Sequence, residues 1–169
     1  LINDWEFWRT KKLSEQAFEF MKSKGFLGMI IPKEYGGLGF SHSAHSAVVQ
    51  KISSRSIGAV IYVMVPNSLG PAELLVHYGT DQQKKKYLPR LADGREVPCF
   101  GLTEPLAGSD AGSITSEGVL FKAEDGTIKI RLNWRKRWIT MASISSLLGL
   151  AFQLRDPDGL LGKGEEIGI

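Results

Sequence analysis

Pro98-Cys-Phe-Gly-Leu-Thr-Glu-Pro-Leu-Ala-Gly-Ser-Asp110 separates two kinds of sequence. On its N-terminal side apolar residues recur at helical spacing. On its C-terminal side they come in short runs broken by Asp-Gly turns, the pattern of strands. The stretch itself is a brief apolar segment running into a loop of Pro, Gly, Ser and Asp, a composition that packing alone does not require. This predicts two domains, a helical one over 1–97 and a β-rich one over 98–169, with a binding seam where they join.

Ahead of the seam, Ser14 is placed to cap a helix running to Lys24, with Leu13 and Phe18 as a hydrophobic staple. Ala17, Phe20, Met21 and Lys24 follow helical spacing, and Gly25 supplies the C′ position. Trp5, Phe7 and Trp8 form an aromatic patch expected to cover something. Residues 26–31 are apolar and stop at Pro32, which predicts a buried extended or irregular piece. Glu34-Tyr-Gly-Gly-Leu-Gly39 lacks the Lys and the spacing of a phosphate loop, so it reads as a tight, closely packed turn. Residues 44–57 predict a helix with Ala44, Ala47, Val48 and Ile52 on one face. Ala59 to Val65 is strand by propensity, yet its neighbours are helical and a fully buried helix carries the same composition. Pro71 can open another helix at N1, with Leu74, Leu75 and Tyr78 inward and Gly79 at its end. Thr80 with Gln83 forms a capping box for the next helix, which Pro89 perturbs and Asp93-Gly94 closes.

Beyond Asp110, Val119–Glu124 and Thr127–Asn133 flank Asp125-Gly126 and read as a β-hairpin. Ile128, Ile130 and Leu132 alternate with Lys129 and Arg131, so one face is expected to be buried and one wet. Arg137–Met141 and Leu147–Leu154 are further strand candidates, the second ending in the turn Asp156-Pro-Asp-Gly159. Successive short strands point to a barrel or sandwich rather than βαβ units.

Composition excludes several classes. Of 169 residues, 43% are hydrophobic and 23% charged, which suits a globular chain, and the net charge of +3 is mild. Lys84-Lys-Lys86 and Arg135-Lys-Arg137 are short runs that read as solvated faces, without the long basic stripe that nucleic acid requires. A single cysteine, Cys99, allows no intrachain disulfide, and no run approaches the length of a membrane span. Leu1 and Ile169 sit in an unfinished apolar pattern, so both ends are expected to continue.

The usual catalytic constellations are missing. His42 and His45 stand at a Ser-rich helix start with no carboxylate at ligand spacing, and His77 reads as a structural histidine, so no metal site is expected. Ser109 lacks a nucleophile elbow, and no histidine follows it. Glu104 and Asp110 could be an acid/base pair, but turn-stabilising carboxylates are commoner. What the seam offers is hydroxyls at Thr103 and Ser109, glycines at 101, 108 and 112 that let backbone N–H groups approach a ligand, and a flat apolar face at Trp138. Thr140 falls on the same face as Trp138 if that segment is a strand. The set suits a planar, polar-edged ring with a charged tail.

Ile31-Pro-Lys-Glu-Tyr-Gly-Gly37, Tyr78-Gly79-Thr80 with Gln83-Lys-Lys-Lys-Tyr-Leu-Pro89, Leu102-Thr-Glu-Pro105 with Ala107-Gly-Ser-Asp110, and Trp138-Ile-Thr140 together resemble the acyl-CoA dehydrogenases, flavoenzymes of fatty-acid β-oxidation, over essentially the whole chain. The resemblance implies the family's N-terminal helical domain over 1–97, with Ala59 to Val65 as helix, and an incomplete, largely antiparallel middle β-domain over 98–169, with a C-terminal helical bundle beyond. It implies FAD as cofactor, with Phe100, Leu102 and Thr103 facing the flavin and Ser109 at the pyrophosphate. Trp138 would pack beside the ring and Thr140 bond near its reactive nitrogen. Ser109, in the loop that borders the thioester tail, is also the expected substrate contact.

The resemblance further implies a fatty acyl-CoA substrate oxidised to the trans-2-enoyl-CoA, electron-transfer flavoprotein as acceptor and a homo-oligomeric full-length protein. The sequence over Leu132–Thr140 and Gln153–Gly159 looks like the large bacterial subgroup acting on medium- to long-chain substrates, in the cytoplasm or peripheral to the inner membrane. Trp134 stands where most of the family has the glycine of an Asn-Gly turn, and Met141 replaces an asparagine. The family's α-proton base is a glutamate of the C-terminal domain; none of Glu34, Glu104 or Glu117 matches it, so no catalytic residue is expected in this chain and the chain alone is expected to be inactive. Two other readings keep the sequence but change the outcome: an acyl-CoA oxidase or nitroalkane-oxidase-like enzyme, and a non-catalytic acyl-CoA or partner-binding module.

Overall fold

The computed structural model describes residues 2–68 and 70–162; the apolar pattern at Leu1 and Ile169 lies outside them. The chain packs as two compact units, Leu1–Cys99 with Thr140–Gly149 and Phe100–Ile139 with Leu150–Ile169. The segment Thr140–Gly149 thus packs with the helices although it follows the hairpin in sequence.

The first unit holds six helices, α1 (Asp4–Thr10), α2 (Glu15–Ser23), α3 (His42–Ser53), α4 (Ile57–Met64), α5 (Pro71–Tyr78) and α6 (Asp81–Ala92). Their starts follow the expected chemistry. The Ser14 hydroxyl accepts from Ala17 N–H, Pro71 sits in the first turn of α5, and Thr80 and Gln83 form a reciprocal capping box. Residues 26–31 are buried and irregular around a 3₁₀ turn at Phe26–Gly28. In the glycine turn that follows, a Cβ on Gly37 would lie 2.0 Å from the Ile31 carbonyl oxygen, which only glycine permits.

Ala59 to Met64 lies in α4, with Val65 as its C-cap. Ser56 accepts from Ala59 N–H at 3.1 Å, and Gly58, Ala59, Val60, Tyr62 and Val63 are buried. A helix meets its own backbone hydrogen bonds while surrounded by apolar neighbours, so burial outweighs the β-propensity of the β-branched residues. Phe7, Met21, Met29, Tyr62, Val63 and Met141 share one core cluster, and Ile31, Ala72, Leu88 and Leu91 share a second. Asn67 ties the irregular segment to α4: its amide donates to the Phe26 and Val63 carbonyls at 2.7 and 2.8 Å and accepts from Ile30 N–H at 3.2 Å.

Several expectations for this unit fail. Trp5 and Trp8 are 85% and 53% exposed; only Phe7 of the aromatic patch is buried, seated where Gly58 leaves no side chain. Phe20 and Tyr78 also face solvent, because α2 and α5 bury narrower stripes than their apolar residues allow. The helix over 44–57 ends at Ser53, and its inner face is His45, Val48, Val49 and Ile52 rather than Ala44 and Ala47. His45 Nε2 is buried without a hydrogen-bond partner among the described residues, while His42 Nε2 lies 3.3 Å from Glu73 of α5, a carboxylate remote in sequence. His77 is exposed.

The expected arrangement of a helical domain followed by a sandwich-like β-domain is present, but its sheets are mixed rather than largely antiparallel. β1 (Pro98–Gly101) pairs with β4 (Leu147–Leu150). Leu147 N–H donates to the Val97 carbonyl and Ala151 N–H to the Gly101 carbonyl, a parallel progression. β2 (Glu117–Lys122) is central in a three-stranded sheet, antiparallel to β3 (Ile128–Asn133) and parallel to β5 (Gln153–Arg155). The hairpin turn is held by Asp125, whose Oδ1 accepts from the Thr127 N–H and hydroxyl at 3.0 and 2.6 Å. Leu147–Leu154 is two strands in different sheets, not one. β3 is an edge strand exposed at all six residues, so Ile128, Ile130 and Leu132 do not form the expected buried face. Arg137–Met141 is not a strand: Trp138 and Met141 have φ of 58° and 65°, and two left-handed residues break any pleat.

Candidate functional site

From β1 the chain enters a tight turn. Glu104 N–H donates to the Ala107 carbonyl at 2.9 Å and Ala107 N–H donates back at 3.3 Å, leaving Leu106 93% exposed at the tip. Proline at position 105 pre-sets the backbone for this turn. The Glu104 carboxylate is buried beneath it. Oε2 accepts from the Thr115 N–H and hydroxyl at 2.7 and 2.9 Å; Oε1 accepts from Ser116 N–H at 3.0 Å and Lys136 Nζ at 2.7 Å. Burial alone would raise its pKa, but the bonds from Lys136, Ser116 and Thr115 outweigh that and hold the carboxyl well below the usual range. A carboxylate with four donors on it is no proton acceptor, so the structural reading of Glu104 holds. Asp110, at the other end of the loop, is exposed and accepts from the Ser113 hydroxyl.

Lys136 also belongs to this cluster, although its run of cations hides it in the sequence. Its ammonium also donates to the Leu102 carbonyl at 3.0 Å, and its side chain is 2% exposed. The run Arg135-Lys-Arg137 is therefore not a uniform solvated face: Arg135 and Arg137 point outward and Lys136 inward. The alternation was the only available signal, and three adjacent cations concealed it.

Next to Lys136, Arg137 N–H donates to the Thr103 carbonyl at 3.0 Å. Leu102 and Thr103 are thus brought beside Lys136–Trp138 within the second unit. Phe100 and Leu102 are half-buried against Ala107, Ile114 and Ala151. Thr103 is half-buried and Ser109 exposed, and among the described residues neither hydroxyl engages a protein partner. The Trp138 indole is 78% exposed, with the Arg137 guanidinium 4.8 Å from its ring. Thr140 is exposed and packs in the first unit, so the strand face expected to join it to Trp138 does not exist. Trp134 does not need a left-handed backbone and so stands where a glycine turn is not made, whereas Met141 adopts φ 65°, a conformation that asparagine tolerates better.

The donor set fits a flavin dinucleotide. Two unengaged hydroxyls suit ring-edge and phosphate oxygens, Gly108 has no atom within 4 Å of its Cβ position, and an exposed indole offers a stacking plane. Elsewhere, a groove of about 370 Å³ lies in the first unit, lined by Leu74, Leu75, Tyr78, Tyr87 and Leu148, and contains none of these residues.

Residues 1–95 match the family profile described as acyl-CoA dehydrogenase, N-terminal domain, and residues 99–165 match that of the middle domain. The chain is 43% identical over 138 residues to a 3-(aryl)acrylate reductase of Clostridium sporogenes, covering 81% of this chain and 35% of that protein. It is 32% identical to an acyl-CoA dehydrogenase of Bacillus subtilis, covering 89% of this chain and 38% of the relative. An acyl-CoA dehydrogenase from Bacillus anthracis, solved in complex with FAD, superposes with a TM-score of 0.69 at 30% identity, covering 80% of this chain and 22% of that one. The chain therefore spans well under half the length of these relatives.

Proposed function

The chain belongs to the acyl-CoA dehydrogenase family, and we propose that it carries the flavin-binding half of an FAD-dependent enzyme that removes hydrogen across the α,β bond of a fatty acyl-CoA. The observation that supports this reading is the seating of Thr103 beside Trp138 through the Arg137–Thr103 bond, since the resemblance assigns both to the flavin, the Thr103 hydroxyl engages no protein partner among the described residues, and Trp138 is exposed. FAD supplies the two-electron chemistry, taking up hydride from carbon. Phe100 and Leu102 give the ring an apolar floor, Thr103 offers a hydroxyl to its polar edge, and Ser109 offers one to the pyrophosphate and to the substrate tail. Trp138 would shield the ring from water; Thr140, which the resemblance assigns to the reactive nitrogen, packs in the other unit and is tested by Thr140→Val separately. Glu104, saturated by its four donors, is not the α-proton base; on this reading that role falls to the glutamate that the family resemblance assigns to a C-terminal helical domain.

On this reading the substrate is a medium- or long-chain acyl-CoA, the product the trans-2-enoyl-CoA and the electron acceptor an electron-transfer flavoprotein. The full-length protein is a homo-oligomer of the bacterial β-oxidation subgroup, cytoplasmic or peripheral to the inner membrane. A second reading has a specific observation behind it: the 43% identical relative is named a 3-(aryl)acrylate reductase, which favours the same site working in the reductive direction on an unsaturated acyl group. Anaerobic mixing of the full-length protein with a saturated acyl-CoA, and of its reduced form with an arylacryloyl thioester, separates the two. Bleaching of the flavin by the first supports the dehydrogenase; reoxidation only by the second supports the reductase. Peroxide formation in air would indicate an oxidase instead.

A further inference from the structure

We propose that Lys136 and Glu104 are positioning residues for the cofactor: as a pair they lock residues 102–104 against residues 136–138, and so set the Thr103 hydroxyl and the Trp138 indole for a flat bound ring. This rests on the flavin reading given above.

Three consecutive residues on one side are each gripped from two consecutive residues on the other. Lys136 Nζ donates to the Leu102 carbonyl at 3.0 Å and to the Glu104 carboxylate at 2.7 Å, while Arg137 N–H donates to the Thr103 carbonyl at 3.0 Å. Glu104 is anchored in turn by Thr115 and Ser116. Both charged side chains are almost wholly removed from water, at 2% and 3% exposure. For stability alone this is a poor choice, because apolar residues of similar volume hold a core as well or better than a buried ion pair. What an ammonium does and a methyl group cannot is bind a backbone carbonyl and a carboxylate at once, fixing the direction of the chain through Thr103.

The rigidity is delivered to side chains that the fold itself does not use. Trp138 follows the clamp directly, with φ of 58° and an indole 78% exposed. A non-glycine residue keeps such a backbone only where its surroundings over-determine it, and Lys136 and Arg137 supply those anchors. Thr103 lies between the two residues that Lys136 grips, and its hydroxyl has no protein partner among the described residues.

The test uses the full-length protein carrying Glu104→Gln with Lys136→Met, which removes both charges at nearly constant volume. We expect the FAD-free protein to stay folded with a modestly lowered Tm, since the Leu102 carbonyl and one donor to residue 104 lose their partners, while the Kd for FAD rises about tenfold or more and the visible circular dichroism of bound flavin changes. A purely structural pair would leave Kd and the flavin spectrum unmoved in a folded variant, and that result overturns the proposal. If the double variant does not fold, Glu104→Gln alone retains the Lys136–Leu102 bond; it is expected to weaken FAD binding several-fold and alter the flavin spectrum, and wild-type values for both overturn the proposal. Failure of the wild-type protein to bind FAD would instead overturn the flavin reading, a result distinguishable from variants that match a flavin-binding wild type.

Discussion

Lys136 and Glu104 meet at 2.7 Å with both side chains buried, and each is further tied to backbone on a different segment. The asymmetry of buried pairs gives a stability prediction. Lys136→Met alone strands a desolvated carboxylate and should cost about 3–5 kcal/mol in urea unfolding, whereas adding Glu104→Gln should restore much of that loss. Equal destabilisation by the single and double variants would contradict it.

Trp138 carries backbone strain on a residue exposed to solvent. Trp138→Gly should leave the FAD-free protein as stable as wild type or about 1 kcal/mol more stable, because glycine adopts φ 58° without the left-handed penalty. The same change should weaken FAD binding. A variant that loses stability and keeps its flavin affinity would place Trp138 in the core rather than in the site.

His45 makes the first unit sensitive to acid. Burial lowers its pKa below the ordinary histidine value, the Val63 carbonyl partly offsets this, and His42 adds to the lowering. A histidine with a depressed folded pKa binds fewer protons folded than unfolded, so its contribution is fully present above the unfolded value, about 6.5, and is lost as pH falls through the folded value. Stability should therefore fall with pH below about 6.5, by at most about 1.4 kcal/mol per unit from this group. His45→Phe should flatten that part of the profile in denaturant unfolding at stepped pH; an unchanged slope would exclude His45 as its source. Glu104 acts in the same direction further into acid, since its depressed carboxyl stabilises the folded state above the ordinary carboxylate range and is neutralised only well below it.

Asn67 is fully buried and serves three backbone groups, Ile30 N–H and the Phe26 and Val63 carbonyls. Asn67→Leu keeps the volume and removes every bond, so it should cost about 3 kcal/mol or more through groups left unsatisfied. Hydrogen exchange at Ile30 should accelerate in the same variant. Wild-type protection there would show that the amide is dispensable.

Capping and turn chemistry made much of this fold legible. Ser14, Pro71, the Thr80–Gln83 box and Asp125-Gly126 each satisfy local backbone groups by themselves, and each sits where its residue type predicts. Burial was less legible, because it depends on what packs opposite. Trp5, Tyr78 and the Ile128–Leu132 stripe are apolar yet exposed, while Lys136, in a run of cations, is buried. Propensity failed in both directions: Ala59 to Met64 is helix because it is surrounded, and Arg137–Met141 is not strand because two residues take left-handed backbone. At the seam, Glu104 could be recognised as structural from its position in a turn, but the partner that proves it lies 32 residues away.

If Thr103, Ser109 and Trp138 hold a flavin, flavin-stripped full-length protein titrated with FAD will show it. Binding should be saturable, quench flavin fluorescence, and weaken with Trp138→Gly and with Thr103→Val while the protein stays folded. Absence of saturable FAD binding by the folded wild-type protein, or variants that bind as wild type does, would contradict it.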